Sequence, residues 1–134
     1  MRVMKIDNIL LDNLTAQAQE SPRLRMNMDL RNSSADSSQR MLNAIEPGSV
    51  VPIHRHQKTS ETVVVLRGRV VEEYYSSAGV LKASYELAAG GPVFALNIPA
   101  GQWHTLRALE SGTVILEMKD GAYEPIGAED VMER

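Results

Sequence analysis

Two histidines two positions apart, His54 and His56, and a glutamate five positions later, Glu61, occupy the stretch VPIHRHQKTSE (51–61). The third histidine of the chain, His104, closes IPAGQWH. Imidazole nitrogens and a carboxylate oxygen are the donors a divalent cation takes when no thiolate is on offer. On a strand, residues i and i+2 share a face, so His54 and His56 point the same way. With 57–60 as a hairpin loop, Glu61 lies across from His56 and diagonally from His54. The Pro-x-Gly turn at 99–101 redirects the chain so that His104 approaches as a fourth donor. An isolated His-x-His arises often by chance. The combination with Glu61, with Gly48 and Gly68 on either side, and with a distant Pro-x-Gly-x-x-His points to a metal site. Three imidazoles and one carboxylate neutralise one charge of a divalent ion, which keeps Lewis acidity, and six-coordination leaves two positions for water or substrate. One divalent ion is therefore expected, with Fe, Mn, Ni, Co and Zn all compatible. Each imidazole must be neutral to bind, so affinity is expected to fall below about pH 6.5, subject to environment.

The elements that must position these donors are mostly strands. DNILLDNLTAQAQE predicts one amphipathic helix over 7–19, with Ile6, Leu10, Leu14 and Ala18 on a stripe, Leu11 widening it and Asp7 as N-cap. RLRMNMDLR alternates strictly, with Leu24, Met26, Met28 and Leu30 on one face and Arg23, Arg25, Asn27, Asp29 and Arg31 on the other. Residues 32–40 read as a polar loop or lid. From 41 onward, short apolar runs are cut by glycine and proline about every ten residues, the rhythm of sandwiches and small barrels. Strands are expected at 40–46, 50–56, 61–66, 69–75, 80–87, 93–98 and 112–118, and residues 120–134 as a polar tail ending in a short acidic helix or a frayed end.

Length and composition narrow the function. A chain of 134 residues, 43% apolar and 23% charged, suits a single domain over 1–134, with the barrel spanning 22–119. A net charge of −3 without blocks of like charge argues against nucleic acid as a partner. The N-terminal apolar run is too short for a signal core or a membrane span, so a cytoplasmic location and no membrane partner are expected. The absence of cysteine removes disulfides, thiolate catalysis and Cys-ligated zinc.

GSVVPIHRHQKTSETVVVLRG (48–68) resembles the first motif of the cupins: glycine, five residues, His-x-His, four residues, glutamate, six residues, glycine. PAGQWH (99–104) is similar to the centre of the second motif, although Gly91 stands two places early for its leading glycine and Ala108 replaces a frequent asparagine. SPRLRMNMDLR, QRMLNAIEPGSVVPIHRH, LRGRV, IPAGQWHTL and AYEP extend the resemblance to the WbuC-type cupin metalloproteins, named from O-antigen gene clusters. The resemblance implies a mainly β chain, a double-stranded β-helix with an N-terminal α-helix, and a metal held by His54, His56, Glu61 and His104. It also implies a homodimer paired through sheet edges.

Arg23, Arg25 and Asn27 are the expected contacts for a carboxylate or phosphate if their row faces the metal; otherwise the row is a solvated edge strand. Trp103 is a candidate to stack on a sugar ring, with packing as its alternative use. Tyr74 and Tyr75 alternate, so one of them points inward. Glu72, Glu73 and Glu86 are candidates for a general base, with exposed strand positions as their default, and no catalytic acid or base is firmly identified. The functional expectation is a metal-binding cupin acting on a small anion or saccharide, such as a sugar nucleotide of surface polysaccharide synthesis, as an isomerase or epimerase. An Fe(II)-dependent dioxygenase and a non-catalytic binding or sensing module are the alternatives.

Overall fold

A computed structural model describes residues 3–132. Helix α1 (Asn8–Glu20) is followed by β1 (Arg25–Asp29), β2 (Ser38–Ile45), β3 (Ile53–His54), β4 (Glu61–Arg67) and β5 (Arg69–Tyr75). Then come β6 (Leu81–Ala88), β7 (Ala95–Ile98), β8 (Trp103–Ala108), β9 (Thr113–Asp120), a short 3-10 helix (Ala128–Asp130) and β10 (Val131–Met132). The strands form two five-stranded antiparallel sheets, ordered β1-β2-β9-β4-β7 and β10-β3-β8-β5-β6. This is the double-stranded β-helix of the cupins, with the helix laid on the outside of the first sheet.

The helix begins where Asp7 accepts the Leu10 N–H at 3.0 Å, satisfying one of the orphan donors of the first turn. Because Asp7 is the cap, Ile6 lies outside the helix and is 48% exposed. The buried stripe is Leu11, Leu14 and Ala18 rather than one running from Ile6. It packs on Leu42, Ala44 and Val114, with Met26, Met28 and Leu30 of the alternating segment closing the layer. The second apolar cluster fills the space between the sheets, around Ile45, Val63, Val65, Val70, Leu87, Leu106 and Ile115.

Three elements depart from the expected strands. β8 was hidden because its inward row is His104, Leu106 and Ala108 while Thr105 on the outer row is also buried, so no polar-apolar alternation survives. β3 spans two residues instead of 50–56 because its flanks bond elsewhere. Pro52 has no N–H, the Val51 carbonyl accepts the Thr105 hydroxyl at 2.6 Å, and the Val50 carbonyl accepts Arg25 at 2.8 Å. The tail does contain a short acidic helix, the 3-10 turn Ala128–Asp130, but it is followed by a strand through residue 132: β10 adds to β3, with Val131 opposite His54.

One glycine is sterically required. Gly68, at φ +76°, turns the chain from β4 to β5, and a Cβ there would lie 2.3 Å from the Thr113 hydroxyl.

Candidate metal centre

His54 and His104 face each other across β3 and β8 as register partners. Each ring is oriented by a bond from Nδ1 to a backbone carbonyl two residues earlier, His54 to Pro52 and His104 to Gln102, both at 2.8 Å. Such bonds place the proton on Nδ1 and leave the Nε2 lone pair free to bind a cation. His56 follows the end of β3, and its carbonyl accepts the Gly101 N–H at 2.8 Å. Gly101 has φ +83°, so the Pro-x-Gly turn not only redirects the chain toward His104 but ties the two histidine segments together.

Glu61 arrives by a different route from the expected hairpin. It opens β4 in the other sheet, opposite Ile98 and Lys119, while β3 pairs with β8 and β10. Residues 57–60 therefore cross from one sheet to the other, and Glu61 meets the histidines across the barrel interior. The physical reason is that β3 is a two-residue strand already paired on both edges, leaving no edge for β4.

Donor nitrogens of His54, His56 and His104 all lie within 4.8 Å of one another. Glu61 Oε2 stands 3.5 Å from Nε2 of both His56 and His104. Donors around one ion at bonds of about 2.1 Å are roughly 3 to 4 Å apart, so the spacing suits a shared cation. Glu61 is buried, and Oε2 has no hydrogen-bond partner. A buried carboxylate oxygen without a hydrogen-bond donor, set between two imidazole nitrogens, fits a shared divalent cation.

The electrostatics agree. Burial, with the nearby Lys119 charge, pushes His56 down to about 4, and burial together with His104 lowers His54. Burial opposes ionisation of Glu61, but the close approach of His104 and Glu117 and the Lys119 charge outweigh it and hold Glu61 below the usual carboxylate range. Glu117, on β9, is driven up by burial and by the Glu61 charge, so the proton between the two carboxyls resides on Glu117. Asn43 donates to Glu117 Oε1 at 3.1 Å.

Of the residues expected to touch substrate, Asn27 lines a cavity of about 380 Å³ that also borders Asp29, Arg31, Gln39, Glu117 and Lys119. Arg25 instead donates to Ser49 Oγ at 3.3 Å and to the Val50 carbonyl, bracing the entry to β3. Arg23 is exposed. Trp103 alternates with His104 and so faces the outside of its sheet, where the Arg55 guanidinium lies 4.6 Å from its ring centre. It is not brought to the histidines.

Two interior acids escaped the sequence reading. Glu72 is not at an exposed position: it is 0% exposed, on the inward row with Val70 and Tyr74, and neither carboxylate oxygen has a partner. Burial and the charges of Glu61 and Glu117 raise its pKa well above the ordinary value. Glu117 shares the inward row of β9 with Ile115, and that period of two is the signal that points to it. Glu86 does lie in the open, paired with Arg69, and Tyr74 is the inward tyrosine.

From outside the barrel, Asp130 accepts Arg55 Nε at 2.8 Å and Gln57 Nε2 at 2.6 Å, and its carbonyl accepts the Arg55 N–H at 3.0 Å. These bonds bracket His56 on both sides.

The model of a family described as a domain of unknown function (DUF6016) matches residues 6–87. No curated protein matches the sequence. Among solved structures, the capsular polysaccharide assembling protein CapF from Staphylococcus aureus is similar at TM-score 0.68 and 18% identity, over 84% of this chain and 32% of CapF. An oxalate oxidase in complex with the substrate analogue glycolate is similar at TM-score 0.65 and 17% identity, over 81% of this chain and 57% of the other. BH2720 from Bacillus halodurans is similar at TM-score 0.62 and 19% identity, over 96% and 88%. The chain thus spans about a third of CapF and just over half of the oxalate oxidase. At these identities the likeness carries the cupin fold alone.

Proposed function

The chain belongs to the DUF6016 family, and we propose that it is a metal-dependent cupin of the WbuC type, acting on a small polar metabolite as an isomerase or epimerase. The observation that carries this reading is Glu61 Oε2, buried, without a partner, and 3.5 Å from two imidazole nitrogens. His54, His56, Glu61 and His104 would hold one divalent ion, and the ion would supply Lewis acidity toward a carbonyl or vicinal diol. His54 and His56 are kept neutral by burial, which favours a cation over protons at neutral pH.

The cavity lined by Glu117 and Lys119, the neighbours of Glu61, suits the substrate class. Asn27, Gln39 and Tyr123 present amide and hydroxyl groups that exchange hydrogen bonds with a polyol or sugar. Glu117 stands between the cavity and Glu61 and holds a proton there. A saccharide or sugar nucleotide of surface polysaccharide synthesis is the substrate we favour, and the fold likeness to a capsular polysaccharide assembling protein supports that association.

The test is elemental analysis of protein purified without an affinity tag, followed by turnover assays with nucleotide sugars. One divalent ion per chain is expected, and its loss in a His54→Ala/His56→Ala double variant that still folds. Protein that binds no divalent ion when offered the full series from manganese to zinc ends the proposal. Oxygen uptake with iron but not with zinc would replace isomerisation with dioxygenase chemistry.

A further inference from the structure

Among the described residues, the charged groups around the cavity lined by Glu117 and Lys119 are largely paired with one another. Asp29 is held by Arg31 at 2.8 Å. Arg40 is held by Asp36 at 3.1 Å. Glu61 and Glu117 are hydrogen-bonded to each other. The Lys119 ammonium makes no ion pair or hydrogen bond among the described residues.

Its position is set by register. On β9, Lys119 stands opposite Glu61 of β4 on one side and Gln39 of β2 on the other. It therefore shares the inward row with Glu117 and Ile115 and helps to line the cavity. It is close enough for its charge to be felt at His54, His56 and Glu61, yet Glu61 does not engage it as an ion pair. An ammonium that lines a cavity without a hydrogen-bonded carboxylate is placed to receive the carboxylate or phosphate of a ligand there.

We propose that Lys119 anchors the carboxylate or phosphate of a small hydroxylated ligand whose other end reaches the His54, His56 and His104 cluster. Asn27, Gln39 and Tyr123 line the same cavity and serve the hydroxyls between. The cavity, about 380 Å³, is at the small end for ligand sites and matches a metabolite rather than a polymer. The inference rests on the metal reading above, and it narrows the substrate class to an anionic polyol or sugar.

Calorimetric titration of the metal-loaded protein with glycerol, glycerate and glycerol 3-phosphate tests it. At least one anion is expected to bind about tenfold or more tightly than glycerol, and the stronger of the two identifies the group recognised. Lys119→Met should reduce that anion to the level of glycerol with the metal content unchanged, and Lys119→Arg should recover part of the difference. The inference fails if neither anion is preferred, or if Lys119→Met retains the preference. A protein that carries no metal but still discriminates through Lys119 would sink the metal reading and leave the anion subsite standing.

Discussion

Strands β2, β9 and β4 are packed on both sides, and the two sides are built from different materials. Toward α1 they present Leu42, Ala44, Val114 and Leu116, met by Leu11, Leu14 and Ala18. Toward the interior the same strands present Val63 and Ile115 but also Asn43, Glu61, Glu117 and Lys119. The part of the outer face under α1 is apolar and stabilises the fold by burial. The inner face carries carboxyl oxygens that lack partners, on Glu61 here and on Glu72 of the facing sheet, and the Glu72 carboxyl opposes folding by about 1 to 3 kcal/mol. The comparison teaches that the layer under the helix is apolar, whereas the space between the sheets holds an apolar core and, beside it, a row of polar and acidic side chains.

The largest effect expected from breaking this division is on the apolar side. Leu42 is fully buried under the helix, so Leu42→Ala should lower unfolding free energy by about 2 to 5 kcal/mol in urea titrations. Metal stoichiometry measured well below the melting temperature should not change, and a variant that loses metal while still folded would erase the distinction between the faces.

On the polar side the sign reverses. Glu72→Leu removes a buried acid that has no partner and should raise stability by roughly 1 to 3 kcal/mol. The folded chain keeps the Glu72 proton well above the ordinary value of 4.5, whereas the unfolded chain releases it there. Stability from this group is therefore lost as pH rises above about 4.5. The leucine variant should lack that decline in melting curves taken across pH; a destabilised variant would mean that Glu72 supports the fold.

Asp130→Asn weakens the brackets on either side of His56 without touching a donor. Chelator competition should show metal bound about tenfold less tightly, in the range seen when groups orienting a ligand are altered, while the melting temperature of metal-free protein barely moves. Unchanged affinity would show that the inner face positions its donors alone.

The smallest effect is a slope. His56 takes up its proton near pH 4 in the folded chain against 6.5 ordinarily, so the unfolded state binds more protons in between. Metal-free protein should lose stability as pH falls from 6.5 toward 4, with a shallower slope in His56→Asn. Metal release on acidification should be centred below the pH of about 6.5 that free imidazole would suggest.

Legibility followed locality. Asp7 capping α1, the Pro-x-Gly turn before His104 and the shared face of Met26 and Met28 depend on neighbours in the chain, and all three were readable. The hairpin placing Glu61 beside His56 was not correct, because strand pairing is settled by which edges remain free once β3, β8 and β10 have joined. Glu72 read as an exposed residue because alternation separates two faces without saying which one the second sheet covers.

The amino-acid order by itself determined the donor types, the absence of thiolates, the helix and the glycine-governed turns, since these follow from side-chain chemistry and short-range sterics. Only the tertiary structure decided that Glu61 reaches the histidines from the opposite sheet, that Trp103 faces away while Glu72 faces in, and that the tail braces His56. Each of these depends on register between segments far apart in the chain, which no local pattern encodes.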